Sequence, residues 1–169
     1  MRRSLPSKFS KLFRTTAGAK FWGELTFADE EGEGGFLAPR RFLTVSRKST
    51  AVAGSVVISP IGDRFILGGH VNYDFVSVFK AYSVDRAAVW TRATKVIDNA
   101  TGLEKEGVPS PMGTLWITLE PIRQVKDFEI SEDILRLVTG QAVQEGDLID
   151  GKRIIRVLNQ IGLRVCEVG

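Results

Sequence analysis

Residues 143–169 read VQEGDLIDGKRIIRVLNQIGLRVCEVG, and their pattern decides the fold class. Asp150-Gly151 stands between two apolar alternations. An Asp-Gly pair in that setting marks a two-residue hairpin turn, because both central residues of a type I′ turn need positive φ. A second turn falls at NQIG, where Gly162 has the freedom a left-handed residue requires. Gly146-Asp147 marks a third, with the Asp side chain positioned to accept from nearby backbone N–H groups. The segment therefore reads as a meander of three short strands. An earlier stretch, SPIGDRFILGGHVNYDFVSVFKAYSV (59–84), uses a related corner: Gly62-Asp63, an apolar run, then glycines. Sharp corners of this kind close a sheet on itself and remove its edges.

The remainder of the chain supports a mainly β fold: a small barrel or sandwich with at most one or two short helices. FWGELTF (21–27), RRFLTVSR (40–47), AVAGSVVISP (51–60) and TLWITLEPI (114–122) are rich in β-branched and aromatic residues. In YDFVSVFKAYSV, Phe75, Ser77, Phe79 and Ala81 alternate with Val76, Val78, Lys80 and Tyr82. Both sets are partly apolar, so both faces of that strand are expected to be covered. Residues 84–98 fit a strand better than a helix. SEDILRLVTG (131–140) has a helix signature, with Ser131 as N-cap and Gly140 past the end. Residues 99–113 read as the longest loop, and no long repeat is visible.

The 169 residues suit one domain: a single β-rich domain over residues 21–169 behind a basic arm at 1–20. The arm holds Arg2, Arg3, Lys8, Lys11, Arg14 and Lys20 and no acidic residue. The rest of the chain carries 17 basic against 20 acidic side chains, whereas the whole chain has a net charge of +3. A basic arm on a mildly acidic body suits a polyanion or an acidic neighbouring subunit. Phe9, Leu12 and Phe13 sit at i, i+3 and i+4, the spacing of a short amphipathic helix that would need a docking partner.

Chemistry-bearing residues are sparse. The single cysteine, Cys166, excludes an intramolecular disulfide and a multi-cysteine metal site, and reads as a small strand residue. The single histidine, His70, lies near Tyr73 and Asp74 without a nucleophile and its orienting partner. Asp63 and Asp147 read as turn residues before they read as catalytic carboxylates. ADEEGEGG (28–35) gathers acidic residues without the ligand spacing of a calcium loop. No phosphate-binding glycine loop is present. No cofactor or metal is expected, and no enzymatic activity. Trp22, Trp90 and Trp116 lie in apolar runs and read as core. No apolar run approaches the ~18 residues of a membrane helix, and the charged start lacks the apolar core of a signal peptide. The chain is thus expected to be soluble and not secreted, with no membrane partner.

The rhythm GDRFILGG (62–69), YDFVSVFKAYSV (73–84), a long loop, then VTGQAVQEGDLIDGKRIIRV (138–157) resembles virion proteins of tailed bacteriophages. It most resembles the small β-barrel head-completion, or stopper, proteins of the head-to-tail connector, over residues 60–169. The chain is longer than that family through the arm and the 21–58 region, which leaves a tail terminator, a tail-tube protein or another neck component open. The resemblance implies a structural role in the virion neck: copies form a ring below the portal, contact the portal or adaptor and the tail proteins, and continue the DNA channel. The protein would be assembled in the host cytoplasm. It also implies an extended channel loop, for which 99–113 is the candidate with Glu104, Lys105, Glu106, Pro109 and Pro111. ADEEGEGG is the second choice. The arm, with its basic residues and Phe9, Leu12 and Phe13, would reach a neighbouring protein or the packaged DNA without sequence specificity. The family carries no catalytic motif, so none is transferred. The rival reading is a nucleic-acid-binding β-barrel, since basic residues flank Phe42 and Trp90.

Overall fold

The computed structural model describes residues 8–27, 41–119, 135–160 and 162–169. They form fourteen strands and no helix. The first six are β1 (Lys11–Thr15), β2 (Lys20–Phe27), β3 (Arg41–Ser46), β4 (Val56–Ile58), β5 (Arg64–Asn72) and β6 (Val76–Ser83). They close into an antiparallel barrel of order β1-β2-β3-β6-β5-β4, with β4 returning to β1. The remaining strands are β7 (Arg86–Arg92), β8 (Lys95–Ile97), β9 (Glu104–Glu106), β10 (Ser110–Leu119), β11 (Leu135–Thr139), β12 (Leu148–Ile149), β13 (Lys152–Gln160) and β14 (Leu163–Val168). Six of these close a second barrel, β10-β11-β14-β13-β12-β7, and β8 pairs with β9 as a separate hairpin inserted between β7 and β10.

Each barrel is held by its own core, built from alternate residues of its strands. Phe13, Phe21, Leu43, Phe65, Leu67 and Phe79 fill the first. Trp90, Leu115, Ile117, Leu137, Ile154 and Cys166 fill the second. Burying each large apolar side chain contributes about 1.5–3 kcal/mol. The all-β chain thus closes two barrels in tandem, over residues 11–83 and 86–168.

The two barrels are the same barrel. Counted from its own first strand, each has the order 1-2-3-6-5-4, and the registers agree around the whole circuit. In the first, the Gly54 N–H donates to the Leu67 carbonyl (2.6 Å) and the Leu67 N–H to the Ser55 carbonyl (2.9 Å). In the second, the Gly146 N–H donates to the Ile154 carbonyl (2.9 Å) and the Ile154 N–H to the Asp147 carbonyl (2.7 Å). Gly54 and Gly146 share nearly the same φ, 85° and 87°. Leu67 then faces Ala81, as Ile154 faces Val168. Ala81 faces Arg41, as Val168 faces Leu135. Two residues on, Leu43 faces Leu25, as Leu137 faces Leu119. Phe21 faces Phe13, as Leu115 faces Ala88. Thr15 faces Val57, as Trp90 faces Ile149. Val57 and Ile149 stand two residues past Ser55 and Asp147, where the circuit began. Even the bulges coincide: the ladder slips by one residue just after Leu67 and just after Ile154. Equal strand number and equal stagger fix equal barrel geometry.

The barrels are joined by two residues, Val84 and Asp85, and both are pinned. The Val84 N–H donates to the Arg64 carbonyl and the Asp85 N–H to the Ile117 carbonyl, both at 3.0 Å. A third apolar cluster lies between the barrels, with Val56, Ile66 and Tyr82 from the first and Val138, Leu163 and Val165 from the second. Backbones touch there as well. A Cβ placed on Gly140 would lie 1.9 Å from the Gly54 carbonyl oxygen. Arg64 stacks over the Trp116 ring at 4.7 Å across the same seam.

Several local expectations are corrected. Residues 9–13 are not helical: from Lys11 the chain is strand β1, so Phe13 points into the core while Leu12 faces out. Of the described arm residues, Lys8, Phe9 and Ser10 precede the barrel's first strand. The helix expected over 131–140 is strand β11 where it is described, because Leu137 and Val138 have apolar surfaces to fill on both faces, the barrel core and the seam. The stretch 99–113 is not a long irregular loop. It holds the turn of the β8–β9 hairpin, β9 itself and the start of β10. Trp22 is not core but 54 % exposed.

Candidate functional site

The most polar cluster lies in the second barrel. Asp147 is 2 % exposed and receives the Arg92 side chain as a two-point fork, Nε to Oδ1 at 2.9 Å and Nη2 to Oδ2 at 3.0 Å. The Trp90 Nε1–H and the Gln144 N–H also donate to Oδ2, at 2.9 and 3.0 Å. Burial works to raise the Asp147 pKa, but the hydrogen bonds from Arg92, Trp90 and Gln144 and the Arg92 charge outweigh it and hold the carboxyl below the usual range. Both carboxylate oxygens are engaged by the scaffold, Oδ1 once and Oδ2 three times, so this carboxylate locks strand β7 to the turn before β12. Asp150 works beside it: it pairs with Arg86 and accepts from the Val89 N–H at 2.8 Å, which places its pKa below normal. Asp150 (φ 51°) and Gly151 (φ 83°) together make the tight turn between β12 and β13. Gly62 and Asp63 close the β4–β5 corner, where the Ser59 hydroxyl accepts from the Asp63 N–H at 3.1 Å.

His70 is exposed near the end of β5 and stacks on Phe79, ring centres 4.7 Å apart. Cys166 is buried, and burial pushes its thiol up to about 12. Among the described residues, no three His, Cys, Asp or Glu side chains gather into a metal-binding group. Among the described residues, no helix is long and apolar enough to cross a membrane. A cleft of about 610 Å³ at the seam between the barrels is lined by Arg41, Arg64 and Arg86 together with Asp63 and Asp85. Its groups are largely engaged: Arg64 lies over Trp116, Arg41 over Phe27 at 4.7 Å, Arg86 on Asp150, and Asp85 accepts from the Leu119 N–H.

The β8–β9 hairpin is the projecting element. All six of its strand residues are exposed, among them Glu104, Lys105 and Glu106. Lys95 pairs with Glu104 at 2.9 Å and Lys105 with Asp98 at 3.1 Å, which stiffens the hairpin. Glu106 reaches back to Arg153 on β13 at 2.5 Å and ties its base to the second barrel. Pro109 lies just before β10 and Pro111 near its exposed start.

Exposed apolar residues gather on the outward side of the first barrel, at Leu12 of β1, Trp22 of β2, Val71 of β5 and in the β5–β6 turn. Trp22 stands opposite Leu12 on the β1–β2 ladder, and both are exposed. Val71 faces Val78 on the β5–β6 ladder, with Tyr73 and Phe75 in the turn beyond. Two grooves mark this face. One of about 540 Å³ runs between Trp22, Phe75, Lys20 and Lys48. The other, about 440 Å³, lies among Phe42, His70, Val71, Tyr73, Val78 and Lys80. Isolated exposed apolar residues are ordinary, but clustered ones mark an interaction surface; here Thr44 and Ser46 of β3 lie between Trp22 and the Val71–Val78 pair. The sequence hid it because β1 read as a helix, which separated Leu12 from Trp22.

Of the arm residues, Lys8 and Phe9 lie ahead of β1, with the Lys8 ammonium 5.1 Å from the Phe9 ring centre. Lys11, Leu12, Phe13 and Arg14 belong to β1 and Lys20 to β2. Arg2, Arg3, the ADEEGEGG stretch and residues 131–134 lie outside the described residues. Compared with protein-family models, with curated proteins and with solved structures, the chain matches none.

Proposed function

We propose that this protein is a structural component of a tailed-phage virion, a neck or head-to-tail connector part that associates with copies of itself into a ring around the DNA path. The exposed apolar face of the first barrel carries this reading. Water-facing Trp22, Val71, Tyr73 and Phe75 on a sheet whose edges are already closed serve contact with another protein surface. The rigid coupling of the barrels suits a load-bearing part, since each chain enters an assembly as one body. The stiff, charged β8–β9 hairpin is the element placed to project from such a ring, toward the channel or toward a neighbouring portal or tail protein. Electron microscopy of the purified protein tests the reading. Closed particles with a central opening support it, and so does binding to portal or tail proteins. A protein that stays monomeric and binds neither head nor tail parts refutes it.

A second reading has one observation in its favour. The groove between Trp22 and Phe75 also holds Lys20 and Lys48, an aromatic and basic combination that stacks bases and holds phosphates. Tight DNA binding that falls steeply with salt would favour that reading over a protein contact.

A further inference from the structure

The contact inside the chain shows what fits the free face. The barrels are equivalent position by position, yet they meet through different surfaces. The first offers Val56, Ile66 and Tyr82 of β4, β5 and β6. The second offers Trp116, Val138, Leu158, Leu163 and Val165 of β10, β11, β13 and β14. Such a contact is head-to-tail, and among the described residues it leaves one surface of each kind unused.

The unused surface on the first barrel is the apolar face described above. By the ladder registers, Trp116 corresponds to Trp22, Leu158 to Val71, Leu163 to Val76 and Val165 to Val78. In the second barrel Leu163 and Val165 are buried and Trp116 and Leu158 half-buried, whereas in the first Val76 and Val78 are half-buried and Trp22 and Val71 are exposed. The face therefore keeps most of the apolar character of the covered surface, with Thr44 in place of Val138, and lacks that cover among the described residues. The unused surface on the second barrel surrounds the positions equivalent to Val56 and Ile66, which are Leu148 and Arg153. It presents Ile155, 54 % exposed, at the bulge position that Gly68 occupies in the first barrel. The bulky and small residues have exchanged places. A Cβ on Gly68 would lie 2.6 Å from the Tyr82 ring, and a Cβ on Gly169 would lie 2.8 Å from Ile155 Cδ1. Tyr82 and Gly169 are the equivalent partners of these two, so both surfaces keep one large side chain at this point.

We infer that the apolar face of the first barrel docks the β12–β13 surface of the second barrel of another copy, repeating between chains the contact that the two barrels make within one. This names the partner of the assembly face and rests on the self-association reading above. It also fixes the geometry. The approach of Gly68 to Leu163 becomes Ile155 of one copy against Val76 of the next. The approach of Gly54 to Gly140 becomes Gly146 against Ser46. Successive copies add in one direction, to a ring where the rotation closes.

The test uses two single variants of the full chain, Val71→Glu on one face and Ile155→Glu on the other. Both side chains are more than half exposed, so the barrels tolerate them, and circular dichroism verifies this. Masses are read by sedimentation velocity. The wild type is expected at several times the chain mass and each variant alone at one chain mass. A one-to-one mixture of the variants is expected to form dimers, because each retains one intact face. Wild-type mass in either variant overturns the inference while leaving the assembly reading standing. So does a mixture that remains monomeric. A monomeric wild type overturns the inference, and one that also binds neither head nor tail parts overturns the assembly reading with it. A Val71→Glu chain that loses stability rather than partners shows the face to be covered by the chain's own residues, and also overturns the inference.

Discussion

Gly140→Ala probes the contact from which the assembly geometry is drawn. Gly140 is not among the glycines with positive φ, so alanine meets no left-handed backbone penalty there. The cost is steric. The new Cβ would lie 1.9, 2.5 and 2.7 Å from the oxygen, carbon and Cα of Gly54, all backbone atoms that no rotamer change can move. Ordinary carbon contacts need about 3.5–4 Å, so the barrels must separate by more than about 1 Å, and a gap of that size forfeits up to about half of each contact well. Overpacking alone costs about 1–3 kcal/mol. The weakened seam around Ile66, Tyr82, Leu163 and Val165 brings the expected loss to about 3 kcal/mol or more. Gly18→Ala is the control. It has φ 91° with nothing within 4 Å of an added Cβ, so it loses only the left-handed backbone penalty of about 1–2 kcal/mol. Urea unfolding followed by tryptophan fluorescence and circular dichroism reads both. Gly140→Ala should lower the midpoint more than the control and split the transition as the barrels uncouple. Unfolding within about 0.5 kcal/mol of wild type would refute the reasoning, since surface substitutions away from such contacts fall in that range.

Four further outcomes follow from the described contacts. The depressed pKa values of Asp147 and Asp150 stabilise the fold above the unfolded carboxylate pKa of about 3.9. That stability is lost as pH falls through their folded values, so thermal midpoints should drop below about pH 4, and less steeply in Asp147→Asn. Asp147→Ala strands the Trp90 N–H and the Arg92 fork and should cost about 3–5 kcal/mol by urea denaturation. Leu67→Ala and Ile154→Ala remove equivalent core residues, 0 % and 1 % exposed, and each should cost about 2–5 kcal/mol in the same assay. Cys166 should not react with a thiol reagent at pH 8 in the folded protein and should react fully in denaturant, given its burial and a pKa pushed up to about 12.

The barrel class was legible because turn chemistry is local. Asp150-Gly151, Gly146 and Gly162 carry their backbone preference in their own residue types, and the alternation in β6 and β14 marks a core face directly. The number of barrels was not legible. Closure depends on pairings such as Thr15 with Val57 and Trp90 with Ile149, which leave no trace in either strand alone. The duplication was hidden for the same reason. Phe13 answers to Ala88 and Phe79 to Cys166, so register is kept while residue identity is not. One part of it did surface, as the recurring glycine corners, but one strand out of step. Gly146-Asp147 matches Gly54-Ser55, and the counterpart of Gly62-Asp63 is Asp150-Gly151. Gly140 looked like the stop of a helix because a lone glycine reports freedom, not what approaches it. Trp22 looked like core because an apolar run does not say which side of a sheet has a neighbour.

Chemical cross-linking between Val76→Cys and Ile155→Cys reads the head-to-tail geometry most directly, because buried Cys166 stays silent. With the two cysteines on separate chains mixed one-to-one, a short bis-maleimide should give cross-linked dimers and nothing larger, and neither variant should cross-link to itself. With both on one chain, a ladder of higher species should appear. Cross-linking of Val76→Cys chains to one another, or none in the mixture, would contradict the account.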